Sequence, residues 1–287
     1  MAFINAMGFF EKLLISDRVA IIVNEIFNNY GQCSRATIVL GLVLFSIQIY
    51  CDFGGYSDIA RGAAMILGFD LMKNFDCPYF AKSIKEFWHR WHISLSSWFR
   101  DYVYIPLGGN RCSQLRKNGN LLLTFLLSGL WHGADWKFVA WGGLHGIYQI
   151  AGERLYPVRK KIQKACQINT ECFSWIFLQS IVTFALVAFA WIFFRANSFL
   201  DALQIIKQLF IPSDSSYGIF AMLSNVGFSV SDQFFLFVVI CVLFVLDAVR
   251  TKWNVLGFME RQNLWFRYCV YGVAFFVVFL HVFFIPM

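Results

Sequence analysis

The chain has 287 residues, of which 59% are hydrophobic and 14% charged, with a mean hydropathy of +0.59. A water-soluble domain carries about a quarter charged residues, so this composition excludes a soluble globular fold as well as disordered, collagen-like and coiled-coil classes. The net charge of +7 comes from Lys and Arg scattered between apolar runs rather than gathered in one stripe, which fits membrane topology and argues against a nucleic-acid partner.

The length is better counted in bilayer crossings of about 20 apolar residues each. Met1 to Ile26 contains Glu11 and Asp17 and lacks the basic start, apolar stretch and small-residue cleavage site of a removable signal. Ala36 to Tyr50 is an apolar but short span. Directly after it, Tyr50-Cys-Asp-Phe-Gly-Gly-Tyr-Ser-Asp58 sets Asp52 and Asp58 among aromatics and glycines, where they either line a polar pocket or cap a helix beginning near Ile59.

Ser83-Ile-Lys-Glu86 has the form of a capping box and predicts a helix start. From there Ile84, Phe87, Trp88, Trp91, Leu95, Trp98, Phe99 and Tyr102 recur at helical steps, with Lys85, Arg90, Ser94, Ser97 and Arg100 mainly opposite. This is the pattern of an amphipathic helix at the membrane interface or tucked into a bundle. His92 falls beside its apolar face and His89 on its flank. His92 either bonds a backbone carbonyl or belongs to a site. No third ligand recurs near the two histidines, and the eight Cys show no CxxC pair, so neither a metal site nor a disulfide framework is expected. Arg100, Asp101 and Arg111 suit either donor phosphates or interfacial anchoring.

The stretches Asn120 to Trp131 and Phe138 to Ile150 are apolar but interrupted, and read as a hairpin turning at Trp131 to Trp136. Non-helical or polar backbone at membrane depth survives only against protein or a wet cavity, so the interruptions point to a functional interior. His132 lies in this hairpin between Gly129 and Gly133, where backbone or substrate can approach closely. Burial disfavours an imidazolium, so a buried His132 is suited to accept a proton; the alternative is a helix-tying hydrogen bond. His145, in Gly143-Leu-His-Gly146, and His281 read as structural.

Phe173 to Phe194 and Tyr268 to Pro286 are long enough to cross the hydrocarbon, and Phe234 to Leu246 is a shorter uninterrupted run. The loops Glu153 to Cys172 and Arg250 to Arg267 are rich in Lys and Arg and belong in the cytoplasm. Arg195 to Asp232, with Asp201, Asp214 and Asp232, suits the outer side. No internal repeat or low-complexity linker divides the chain, which is read as one domain over 1–287: an all-α, polytopic integral membrane bundle.

Four segments in order carry a family likeness: Gln48-Ile-Tyr-Cys-Asp-Phe-Gly-Gly-Tyr-Ser-Asp58, Arg90-Trp-His-Ile-Ser-Leu-Ser96, Phe99-Arg-Asp-Tyr-Val-Tyr-Ile-Pro-Leu-Gly-Gly-Asn-Arg111 and Gly129-Leu-Trp-His-Gly133. Together they resemble the membrane-bound O-acyltransferase (MBOAT) family, in the bacterial branch that includes alginate O-acetyltransferase and the D-alanyl teichoic acid transfer protein. The likeness runs from about Gly8 to Ala196. It implies that His132 is the catalytic histidine, that His92 is the second signature histidine, and that helices surround a funnel to His132. Arg90, Trp91, Arg100 and Trp131, with Asp52 and Asp58, are then the candidates for holding substrate.

The resemblance also implies an acyl thioester donor, acetyl-CoA or an acyl carrier protein, arriving as substrate with no bound cofactor. The acceptor would be a hydroxyl of an exported polysaccharide such as alginate, with an extracytoplasmic polysaccharide acetyltransferase as partner, in a multi-pass protein of the inner (cytoplasmic) membrane. The family has several helices ahead of the point where this chain begins, so the chain is expected to lack them. D-alanyl transfer to teichoic acid, a transporter and a non-enzymatic scaffold subunit are the alternatives.

Overall fold

The computed structural model describes residues 2–211, 223 and 227–284, the side chains of 256, 260 and 277–284 excepted. Asp214, Pro286 and the side chain of His281 lie outside the described residues. In chain order the helices are α1 (Ala2–Phe9), a π-helical turn (Phe10–Ser16), α2 (Asp17–Asn28), α3 (Arg35–Ile66), α4 (Ile84–Arg90), α5 (Ile93–Phe99), a second π-helical turn (Arg100–Tyr104), α6 (Gln114–His132), α7 (Trp136–Ala165), α8 (Phe173–Arg195), α9 (Phe199–Phe210), α10 (Val230–Arg250), α11 (Val255–Glu260) and α12 (Leu264–Phe284). The described residues contain no strand, and the architecture is all-α as expected. Among them α3, α8 and α10 are long and apolar enough to cross a membrane. A helix hides its own backbone polar groups, which is what the hydrocarbon requires.

The chain forms two compact units, Met1–Cys77 with Gln208–Met287, and Pro78–Lys207. In the first, α1, the π-turn and α2 pack along α3. The contact rests on small residues: a Cβ at Gly8 would lie 2.7 Å from the Gly55 carbonyl oxygen, and one at Gly55 would lie 2.7 Å from that of Gly8. Small residues let backbones approach where no hydrophobic force drives helices together in lipid. Gly54 and Gly55 therefore do not break the chain. α3 runs unbroken for 32 residues through Asp52 and Asp58, and no new helix starts near Ile59. Asp58 is not a helix cap.

In the second unit α6 and α7 form the expected hairpin, α7 starting at the Asp135 cap, whose side chain accepts from Lys137 N–H at 3.0 Å. A Cβ at Gly142 would lie 2.1 Å from the Phe125 carbonyl oxygen, and one at Gly129 would lie 2.2 Å from that of Phe138. These glycines serve helix packing. Past Ile150, where the apolar pattern ends, α7 continues as an exposed charged rod to Ala165, so the basic stretch after Glu153 is largely helical rather than a loop. Glu, Arg, Lys and Leu sustain a helix without burial. α8 packs on α7, and Lys137 Nζ closes its C-terminal end by donating to the Ala196 carbonyl at 2.8 Å.

Gly142→Ala should lower stability by about 1–3 kcal/mol through overpacking. Gly119→Ala, on the same hairpin with nothing within 4 Å of the added carbon, should be neutral or stabilising by about 0.5–1 kcal/mol. Thermal unfolding of the detergent-solubilised protein distinguishes the two.

Candidate active site

The amphipathic segment is not one helix. Ser83 Oγ accepts from Glu86 N–H at 3.1 Å as the capping box predicts, while Glu86 reaches one residue further back, to Lys82 N–H at 2.9 Å. The helix then stops at Arg90, and His92 takes a left-handed backbone with φ of +43°. A non-glycine residue in this region carries strain and persists only where its surroundings fix it. Trp91 supplies that hold: it is buried, stacks on Phe87 at 5.4 Å between ring centroids, and meets Trp191 of α8 at 5.3 Å. The chain resumes as α5 and widens into the π-turn.

His132 is the last residue of α6. Its half-buried imidazole meets Trp141 at 5.1 Å and Phe194 at 5.3 Å, both edge to face, with Phe138 at 6.5 Å and Trp131 at 5.0 Å. Trp131 itself is 59% exposed. Gly133, read from sequence as a point of close approach, meets the Phe138 ring: an added Cβ would sit 2.7 Å from its edge. Burial first, and the charge of His132 second, push the His92 imidazole down to about 4. His92 is therefore neutral at physiological pH and can donate or accept a hydrogen bond; its Nδ1 lies 3.4 Å from Ser94 Oγ.

Beside this segment lies a cavity of about 390 Å³ lined by Trp88, His89, Ser96, Ser97, Arg100 and Ser128, among others. Ser128 sits one helical turn before His132. Arg100 is exposed and forked on Asp101, with Nε 2.7 Å and Nη2 3.1 Å from its carboxylate. Arg90 is held by Glu86 at 2.7 Å. Both arginines thus already have carboxylate partners.

Asp52 and Asp58 belong to the other compact unit. Asp52 is exposed, is paired with Lys12, and accepts from Ser16 Oγ at 3.3 Å. Asp58 faces Arg250, whose Nη2 is 3.7 Å from its carboxylate. Arg250 also lies 3.7 Å from Glu11 and 3.5 Å from Asp247, and Tyr50 Oη donates to Asp247 at 2.8 Å. Glu11 and Asp247 are each 2% exposed. This network was not foreseen in the sequence, although a carboxylate inside an apolar run such as that around Asp247 is the signal that could have found it. Trp141 and Phe194 were missed as well, since an aromatic in an apolar helix carries no mark of its own.

The helices and the aromatic-walled histidine define an integral membrane protein. The chain belongs to the membrane-bound O-acyltransferase (MBOAT) family, whose model matches residues 4–194. It is 40% identical over 207 residues to a probable alginate O-acetylase of Pseudomonas syringae, covering 72% of this chain and 38% of that protein. It is 38% identical over 207 residues to a peptidoglycan O-acetyltransferase of Helicobacter pylori, with 72% and 38% covered. A teichoic acid D-alanyltransferase of Bacillus subtilis is 32% identical over 154 residues, with 48% and 38% covered. The matches thus span about two fifths of the length of these curated relatives.

His92→Gly separates backbone from ring. Glycine adopts the left-handed conformation freely, so the variant should keep its thermal stability and lose activity if the imidazole takes part; full activity would assign His92 a purely conformational role. Arg250→Met should destabilise by about 3–5 kcal/mol, because it strands buried carboxylates, and adding Glu11→Gln should restore part of the loss in the same thermal assay.

Proposed function

We propose that this chain carries the reaction centre of an acyltransferase that moves an acetyl group from a cytoplasmic thioester, acetyl-CoA or an acyl carrier protein, to hydroxyls of an exported or cell-surface polysaccharide such as alginate. The observation that carries the proposal is His132: an imidazole half-buried between Trp141 and Phe194. The acetyl assignment is supported by relatives named for O-acetylation, which match 72% of the chain, whereas the D-alanyltransferase of Bacillus subtilis matches 48% at lower identity. D-alanyl transfer to teichoic acid is the second reading, favoured by that likeness.

In this mechanism the neutral His132 takes the proton of the acceptor hydroxyl as its oxygen attacks the thioester carbonyl carbon. The carbon–sulfur bond breaks, the ester forms, and the imidazolium returns its proton to the departing thiolate. An apolar wall favours the neutral base and keeps water from competing for the thioester. In this reading His92 donates an N–H to the developing oxyanion, Arg90, Arg100 and Trp131 meet the donor, and the buried Trp91 fixes the His92 turn. The cavity of about 390 Å³ provides room for part of a donor, with Arg100 at its lining. The inner (cytoplasmic) membrane, a funnel to His132 and an extracytoplasmic acetyltransferase partner complete the proposal. Asp52 and Asp58, engaged with Lys12 and Arg250, contribute through the shape of their own helical unit rather than by touching substrate.

His132→Ala should reduce polymer acetylation at least about 100-fold in the full-length protein while membrane insertion and abundance stay unchanged. Quantifying ester-bound acetate on the exported polymer measures it, and acetylation at the wild-type level rejects the assignment.

A further inference from the structure

The most deeply enclosed histidine is one that this mechanism does not use. His145, on α7, is 0% exposed, and its Nδ1 receives a hydrogen bond of 3.2 Å from the Trp88 indole of α4. An indole N–H only donates, so Nδ1 must be the bare nitrogen and the proton sits on Nε2: His145 is neutral with a fixed tautomer. It is wedged among aromatics, stacked over Phe87 at 6.3 Å and edge-on to Trp141 at 5.2 Å. Trp141 in turn is the ring that meets His132 at 5.1 Å.

We propose that the Trp88–His145 hydrogen bond is a register pin that holds the His92 turn against the α6–α7 hairpin that carries His132, and that His145 is therefore a positioning residue for acyl transfer. Trp88 lies in the last turn of α4, two residues before Arg90, where the helix ends and the strained His92 turn begins. A left-handed residue gives the chain no intrinsic reason to stay, so the turn needs anchoring where the chain enters it. Trp91 anchors it to α8 through Trp191, and Trp88 anchors it to α7 through a directional polar contact. α7 and α6 pack as one hairpin locked by Gly142 and Gly129, so a bond to α7 is mechanically a bond to His132. Stacking alone permits sliding between rings; a single N–H donor and a single acceptor do not.

The inference rests on the acyl-transfer reading, and the test separates the two. Full-length protein in its native membrane, with its partners, is assayed for polymer acetylation while the acetyl thioester is varied. Trp88→Phe and His145→Phe each remove one end of the bond but keep an aromatic ring. Each should lower kcat about 10- to 100-fold with KM nearly unchanged, as expected when a reacting group is displaced slightly. The double variant should lose no more than the worse single, because one bond is lost once. His145→Asn, which retains an acceptor near the Nδ1 position, should keep most of kcat. Wild-type kcat in Trp88→Phe, losses that multiply in the double variant, or a His145→Asn protein as slow as His145→Phe would overturn the pin. Activity that survives His132→Ala would instead overturn the acyl-transfer reading itself. Should His145→Phe not accumulate in the membrane, Trp88→Phe and His145→Asn decide the matter.

Discussion

Trp141 touches both histidines of the α6–α7 hairpin, His132 at 5.1 Å and His145 at 5.2 Å, and the site depends on this shared ring. On one side stands a half-buried imidazole, and on the other a fully enclosed one. The indole face and edge suit edge-to-face contact with either ring, and its bulk keeps the two imidazoles in separate environments. Trp191 stacks on Trp141 at 5.7 Å, so α8 backs the same wall. Two residues of one type thus meet different environments through position alone.

The other compact unit answers a different physical demand. Buried charges in a membrane protein must be paired, and Arg250 stands among Glu11, Asp58 and Asp247, with Tyr50 completing the coordination of Asp247. The elements that meet there, the first π-turn, α3 and α10, come from distant parts of the chain, which makes the ion network a long-range clasp. Breaking it from one side leaves carboxylates without a counter-charge. Asp52, being exposed and paired with Lys12, carries little of this burden.

Much of the architecture is legible in sequence because it is written in local terms. The cap at Ser83, the apolar runs that became α8 and α10, and the hairpin turning after Trp131 all follow from spacing and end signals. His132 stands out because ionisable residues are rare in such surroundings, and His92 through its place in the Arg90-Trp-His motif. Other features are fixed by distant partners and leave no local mark. The turn at His92 depends on Trp91 meeting Trp191; the continuity of α3 through Gly54 and Gly55 depends on Gly8; and the wall around His132 depends on Phe194, from another helix. Glycine pairs that look like a break in sequence are a close helix contact in the fold.

The central claim is that His132 is reachable and His145 is not. Diethyl pyrocarbonate labels accessible neutral imidazoles, and mass spectrometry of the labelled full-length protein in its membrane reads each histidine separately. The account predicts rapid labelling of His132, slowed by a non-hydrolysable acetyl thioester analogue, with His145 unlabelled until the protein unfolds. Equal labelling of the two rings, or a His132 rate indifferent to the thioester analogue, would contradict it.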